Sequence, residues 1–403
     1  MAISLPGGHV SEARSDLSPL LVVLATFILG AAFIASEVST TQSLLFLNGG
    51  LLGAALYHAS FGFTGGWRRF ATEGRSRSMR AQFLMIAITA LVFIPLMSGF
   101  WEVDRTFSGA WAPVGVSVVV GAFMFGLGMQ LGGGCGSGTL FTVGGGSSRM
   151  LVTLIGFIAG AVIATAHLPF WLGLPSMPAV KLGEYLGPLP GTAATLVALL
   201  AVILVLALVE RRRHGNVEPV FQGLSALRPA RILRGPWPLG LALLVLALGN
   251  VITLLLAGHP WSVTYGFGLW GAKVLDAIGV PVASWQFWQV PFQARALEQS
   301  VLFDVTSVMN FGIILGAALA ASLAGRFAEG ARVPLASYAA AILGGLLMGY
   351  GARLSFGCNI GALFSGIASG SLHGWLWLVM AFGGSLLGIL ARPVFGLDGF
   401  KKS

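Results

Sequence analysis

The chain holds two cysteines, and both sit in the same kind of sequence. Each has the form Gly-Cys-x-x-Gly: Gly134-Cys135-Gly136-Ser137-Gly138 and Gly357-Cys358-Asn359-Ile360-Gly361. A thiol is a weak hydrogen-bond donor and a polarisable acceptor. Glycines beside it let backbone approach a small solute closely and admit positive φ. The apolar segments that follow, 139–143 and 362–366, suit short helices whose N-termini point back at the sulfur. Such an N-terminus offers unpaired N–H groups and about half a positive charge, which favours an anion. Two such sites in series suit a soft anion that must bind weakly enough to leave again.

Other roles for the thiols stay open at this point. A free cysteine often acts as a small buried hydrophobe. A Cys135–Cys358 disulfide is open too, since opposed loops would bring the sulfurs within reach. Metal binding is disfavoured, because neither cysteine has a CxxC partner or a histidine at ligand spacing. An enzyme forming a cysteine persulfide would need a base or cation against the sulfur, and no histidine adjoins either loop. No motif calls for a cofactor. A Gly-x-x-x-x-Gly-Lys-Ser/Thr loop is missing from the sequence, so ATP-driven transport would need another subunit.

A few polar residues fall within apolar stretches. Arg353 lies five residues before Cys358 and is read either as a substrate attractor or as a side chain snorkelling to an interface. Lys273 and Asp276 are spaced to pair on a helix, although a lysine in a pathway would also attract anions. His58 is expected to pack in the interior, and Asp304 and Asn310 to bond across helices.

The elements that must carry these residues follow from composition. Of 403 residues, 56% are hydrophobic and 9% charged, with mean hydropathy +0.86. A soluble domain carries about 25% charged residues to solvate its surface. This outer surface must therefore face lipid, with its backbone satisfied internally. The long unalternating apolar runs exclude a barrel, whose strands alternate over about ten residues. Spans are expected near 19–36, 42–63, 82–100, 111–131, 150–168, 192–209, 239–257, 302–323, 335–356 and 373–391. The first run is longer than the roughly 7–15 residues of a signal-peptide core and reads as a retained helix. Three glycine-rich stretches, 132–147, 262–280 and 357–371, argue against plain helix and suit a pathway lining.

The net charge of +9 does not imply a nucleic-acid partner. The arginines cluster between spans, at Arg68, Arg69, Arg75, Arg77 and Arg80 and at Arg211, Arg212, Arg213, Arg228, Arg231 and Arg234. Both clusters are expected on the cytoplasmic side.

Sliding the sequence by 223 positions lays 126–141 on 349–364 with eight identities in sixteen, both cysteines among them. A weaker match sets Phe61-Gly62-Phe63 against Tyr265-Gly266-Phe267. The expectation is an all-α, polytopic membrane bundle of two pseudo-symmetric halves with broken or re-entrant Gly-Cys loops at mid-membrane. The halves are 1–210 and 238–403, joined by a basic linker, 211–237, and an inverted relation is favoured over a parallel one.

The two glycine–cysteine loops, with the stretch Trp261-Ser262-Val263-Thr264-Tyr265-Gly266-Phe267-Gly268-Leu269-Trp270-Gly271-Ala272-Lys273, resemble the YeeE/YedE family of sulfur-compound transporters. The resemblance covers most of the chain. It implies a multi-pass inner-membrane protein for thiosulfate or a related sulfur or selenium anion, with a cytoplasmic sulfurtransferase as a candidate partner. It also implies that Cys135 and Cys358 form a relay at a central constriction. Gly134, Gly136, Gly138, Gly357, Asn359 and Gly361 then line the pathway, with Arg353, Lys273 and Gly62 along it. One departure bears on the substrate. Where the family often reads Phe-Cys-Phe, this chain has Phe61-Gly62-Phe63, so one thiol is replaced by glycine. A non-transporting scaffold is the remaining alternative, and it would leave glycine-lined loops at mid-depth without a purpose.

Overall fold

The computed structural model describes residues 17–101, 103–328 and 334–400. Most of the polar N-terminal stretch lies outside them. The longer helices are α1 (Leu17–Glu37), α2 (Thr40–Ala59), α3 (Phe63–Glu73), α4 (Arg77–Met97), α5 (Val116–Gly132), α6 (Gly136–Gly144) and α7 (Ser148–Leu172). They continue as α8 (Pro188–His214), α9 (Leu239–Ala257), α10 (Thr264–Ala277), α11 (Val305–Leu323), α12 (Leu335–Leu354) and α13 (Leu372–Ala391). A π-helical segment, Asn359–Ser365, lies between α12 and α13. Strand structure among the described residues is confined to an antiparallel two-stranded patch, Val114–Gly115 with Ser176–Met177, and an isolated bridge.

Among the described residues, ten helices or helix runs are long and apolar enough to cross a bilayer, and each overlaps an expected span, with Thr40–Glu73 and Val116–Gly144 running past the ends expected for them. The outermost, α1 and α8, keep most of their apolar side chains exposed, as a lipid-facing surface requires. The core is built by glycine-faced pairs. On α2, Gly49 and Gly53 abut the backbone of Met309 and Ile313 on α11, while Gly312 and Gly316 abut Phe46 and Gly50 in return. Gly156 and Gly160 of α7 interlock with Gly345 and Gly349 of α12, and Gly384 and Gly388 of α13 lie on α5. A Cβ at Gly156 would stand 2.8 Å from the Ile342 carbonyl oxygen. Small residues four apart let backbones approach this closely, and in lipid that packing replaces the hydrophobic drive between helices.

Two expectations about local structure change. The stretch 262–280 holds a regular fourteen-residue helix, α10, because its glycines face neighbours and do not break the chain: Gly266 meets Asn310 and Gly271 meets Val162. Residues 63–73, read from sequence as the end of a span and a basic loop, form α3. Its Phe63 and Trp67 are fully buried, and Trp67 Nε1 donates to Gln82 Oε1 at 3.0 Å.

The two arginine clusters lie on one side. Glu210, fully buried near the end of α8, accepts from Ser76 N (3.2 Å) and Ser76 Oγ (2.6 Å). It also accepts from Arg80 Nη2 (3.1 Å), Arg75 Nη1 (3.5 Å) and Glu218 N (3.2 Å). Arg69 completes the knot with two bonds to Glu218, at 3.1 and 3.3 Å.

Candidate functional site

Each cysteine occupies the N-cap of a short helical segment. Cys135 caps α6 with its Sγ accepting from Gly138 N at 3.4 Å, and Thr139 Oγ1 donates to the Cys135 carbonyl at 2.8 Å. Cys358 caps the π-helical segment with its Sγ accepting from Ile360 N at 3.4 Å. Sulfur standing where a serine or aspartate usually caps satisfies one of the orphan N–H groups of a helix start. Gly133, in the left-handed region at φ +89°, and Gly357, at φ +153°, make the turns into the two loops. A Cβ at Gly357 would stand 2.6 Å from Ala362 N, so that turn is closed to other residues.

The two caps meet. A Cβ built on Gly136 would stand 3.0 Å from Cys358 Sγ and 3.4 Å from Val263 Cγ1. Both cysteines are free thiols and buried. A Cβ built on Gly138 would stand 3.4 Å from Cys135 Sγ, and one built on Gly361 would stand 3.6 Å from Ser262 Oγ. Thus Gly136, Gly138, Gly361 and the thiols come together, with Ser262 and Val263 at their edge. Gly134 packs beneath this group, against Met150 and the first turn of α6.

Cavities approach this group from opposite ends of α11. One, about 580 Å³, is lined by Ser262, Tyr265, His259, Arg295, Asp304 and Thr306 at the start of α11. Another, about 390 Å³, is lined by Tyr57, His58, Ser60, Phe141 of α6 and Arg326 just beyond the end of α11. A nineteen-residue helix is about 28 Å long, close to a bilayer core. Ser262 joins the first cavity to Gly361, and Phe141 joins the second to α6.

The remaining residues singled out from sequence fall as follows. Gly62 is the N-cap of α3, and a Cβ there would meet only the Ser60 carbonyl at 3.9 Å, so the position is open. Arg353 has its guanidinium carbon 5.6 Å from the Tyr265 ring centroid and 4.8 Å from that of Phe287. Its Nε is buried without a hydrogen-bond partner among the described residues. Lys273 Nζ donates to the carbonyls of Leu297 and Gln299, each at 2.6 Å, so its hydrogen bonds go to the segment before α11 and none to Asp276. Asn310 bonds across elements as expected, its Nδ2 donating to Val263 O at 2.9 Å. Asp304 does not: it caps its own helix, accepting from Ser307 N (2.7 Å) and Oγ (2.6 Å). His58 is buried in the interior, as expected, its ring 5.5 Å from that of Trp237.

Asn359 is fully buried, and neither its Nδ2 nor its Oδ1 has a partner among the described residues. Thr64 Oγ1 and Trp261 Nε1 are orphaned in the same way. Sequence reasoning assigned no role to either side chain, although Thr64 directly follows the Phe61-Gly62-Phe63 motif and Trp261 opens the stretch that carries the family resemblance. Among the described residues, no group of three or more His, Cys, Asp or Glu stands close enough to hold a metal ion.

Comparison with known proteins places the chain in a family. Residues 58–387 match a family model described as sulphur transport. The chain is 34% identical over 144 residues to the probable transporter YedE of Escherichia coli (strain K12), a match covering 35% of this chain and about a third (34%) of that protein. It is 28% identical over 272 residues to the thiosulfate transporter TsuA of Spirochaeta thermophila, covering 65% of this chain and 73% of the relative. With the thiosulfate transporter TsuA of Escherichia coli (strain K12) it shares 27% identity over 344 residues, covering 82% and 89% of the two chains. With ten apolar spans, paired cysteine caps and a family match over most of its length, the chain belongs to the sulphur transport family of multi-pass membrane proteins.

Proposed function

We propose that this protein carries thiosulfate, or a related anion with a soft terminal sulfur, inward across the cell's inner membrane through a pathway centred on Cys135 and Cys358. The observation that carries the reading is the meeting of the two caps: Cys358 Sγ abuts Gly136, the first residue of the helix that Cys135 caps. Two helix N-termini then face one small volume, each with a polarisable sulfur at its tip. An anion held there is favoured by both dipoles, yet meets no fixed cation strong enough to trap it. Gly138 and Gly361 leave room beside the thiols, Gly134 and Gly357 hold the two turns that present them, Gly62 lies along the approach, and Asn359 adds polar contact. Arg353 and Lys273, on the side of the larger cavity, contribute positive potential that draws anions toward the opening. The two relatives named as thiosulfate transporters point to thiosulfate first.

The pathway follows from a duplicated architecture. In this reading 1–210 and 238–403 are related halves and 211–237 is the basic linker on the cytoplasmic face. Pairing α2 with α9, α4 with α11, α5 with α12 and α7 with α13 maps the α2–α11 contact onto α9–α4. It likewise maps α7–α12 onto α13–α5, and all four pairs pack together in the fold. Counting from α2, five long helices (α2, α4, α5, α7 and α8) come before α9, which in this reading starts α9 on the opposite side from α2 and favours an inverted relation of the halves. Thiol chemistry of the persulfide kind is less well supported. Cys135 Sγ is in contact with Ser137 Oγ at 3.5 Å and Gly138 N, and neither is a base. A cytoplasmic sulfurtransferase taking the delivered sulfur is compatible with the arginine-rich face.

The test is uptake of labelled thiosulfate by purified protein in liposomes. Cys135→Ala and Cys358→Ala should each fold and lose at least about tenfold of the flux, roughly 1.4 kcal/mol on the barrier. A thiol reagent should block the wild type, with thiosulfate protecting. Near-wild-type flux in both alanine variants would return the sulfurs to the status of buried filler.

A further inference from the structure

Asn359 is the first residue of the π-helical segment capped by Cys358, is fully buried, and leaves both halves of its amide unpaired among the described residues. An unmade bond at a buried amide costs about 1–3 kcal/mol, and such groups are almost always satisfied. The neighbours of Asn359 along the segment, Ile360, Gly361, Ala362 and Leu363, are buried, and a leucine of similar volume would remove the cost. Other buried amides nearby are used. Asn250 donates to Ser365 Oγ at 3.1 Å and accepts from Trp261 N at 2.8 Å, and Asn310 donates to Val263 O while its Oδ1 stays unpaired among the described residues, so Asn359 alone of the three has neither half of its amide bonded there. The seven-residue π-helix is a second departure from the ordinary, of a kind that concentrates at functional sites. The matching position in the other half is Gly136, which has no side chain, so the two caps are chemically unequal.

We infer that Asn359 is a specificity-determining contact of the pathway: its Nδ2–H donates to an oxygen of the passing anion while Cys358 Sγ lies against its terminal sulfur. The ligand class is a two-ended anion, with an oxygen-bearing centre at one end and a soft chalcogen at the other. The inference rests on the transport reading above and deepens it. A ligand with oxygen alone loses the contact at sulfur, and one with sulfur alone leaves the amide unpaired. A site built to hydrogen-bond its substrate rejects analogues that lack the group, because the buried partner is then stranded. Gly136, opposite, supplies space where a second amide would crowd the Cys358 sulfur.

The experiment compares wild type, Asn359→Leu and Asn359→Ala as purified proteins in liposomes, reading thiosulfate KM, inhibition by sulfide and by sulfate, and the thermal midpoint. Asn359→Leu should raise KM for thiosulfate by about 10- to 100-fold, the loss of one hydrogen bond to an anion. It should also narrow the preference for thiosulfate over sulfide, while its thermal midpoint holds or rises. A purely structural asparagine would move the midpoint and leave both the KM and the preference alone. Should the leucine variant fail to fold, Asn359→Ala, which removes volume and adds none, gives the same reading. A KM and preference within about twofold of wild type in a folded variant would overturn the inference. A wild type that takes up no thiosulfate would instead sink the transport reading itself, so the two failures are told apart.

Discussion

If the two caps form the narrowest part of the pathway, single methyl groups added around them should obstruct flux in an order set by the geometry. Gly136→Ala places a Cβ 3.0 Å from Cys358 Sγ and 3.4 Å from Val263 Cγ1, where ordinary contact begins near 3.4–4 Å. Gly138→Ala reaches only 3.4 Å from Cys135 Sγ, and Gly62→Ala finds nothing nearer than the Ser60 carbonyl at 3.9 Å. None of the three requires positive φ, so backbone strain does not confuse the comparison. Overpacking by one methyl group costs about 1–3 kcal/mol. Placed on the translocation barrier, that cost slows flux by about 5- to 150-fold for Gly136→Ala. The loss should be several-fold smaller for Gly138→Ala and absent for Gly62→Ala. The assay is initial uptake of labelled thiosulfate into liposomes, normalised to folded protein by size-exclusion profile. A Gly136→Ala variant at wild-type rate, or a Gly62→Ala variant more impaired than it, would refute the placing of the constriction.

Two further expectations concern the frame. Reporters fused near Gly74 and near Asn216 should report the same, cytoplasmic side, because those segments meet through the Arg69–Glu218 and Arg75–Glu210 contacts; opposite signals would overturn the topology. Glu210→Ala should destabilise the fold by about 3–5 kcal/mol, since it strands Arg80 and the Ser76 and Glu218 amides in a buried knot. Thermal unfolding in detergent checks it, and a midpoint equal to wild type would show that the knot contributes nothing net.

The spans were legible because lipid imposes one rule over long stretches, and a run of some twenty apolar residues satisfies it almost wherever it occurs. The cysteine caps were legible for a different reason: a glycine–cysteine pattern repeated at a fixed offset is difficult to keep unless the same local geometry is used twice. What stayed hidden depended on partners far away in sequence. Glu210 sits at the end of an apolar run and looks like the first residue of a solvated loop. Its burial becomes visible only when Arg80, 130 positions earlier, arrives beside it. The helix α3 was hidden by its own arginines, Arg68 and Arg69, which mark it as a loop, although Phe63, Thr64 and Trp67 on its other side are buried.

Glycine was the most ambiguous letter in this sequence, and the ambiguity has a physical origin. The same residue serves two opposite ends: it lets a chain leave the helical region, and it lets two helices touch backbone to backbone. At Gly133 and Gly357 the first use holds: α5 ends on its C-cap, Gly133, and Gly357, three residues past the end of α12, turns the chain into the loop that presents Cys358. At Gly266, Gly268 and Gly271 the second holds: α10 continues through all three, and each gives up its side chain to a neighbour, Asn310, Arg353 and Val162 in turn. Composition alone assigns both groups to a pathway lining. The separating signal is spacing. Glycines three or four apart on an apolar face repeat with the helix and mark a packing seam, as in Gly345 and Gly349. A run of adjacent glycines closed by a cysteine, as in Gly132-Gly133-Gly134-Cys135, has no such period and marks a helix end. Read by that rule, the sequence places a break at Cys135 and none in α10; at Cys358 a single glycine precedes the thiol, and the break there is made by the positive φ of Phe356 and Gly357, which no run of glycines announces.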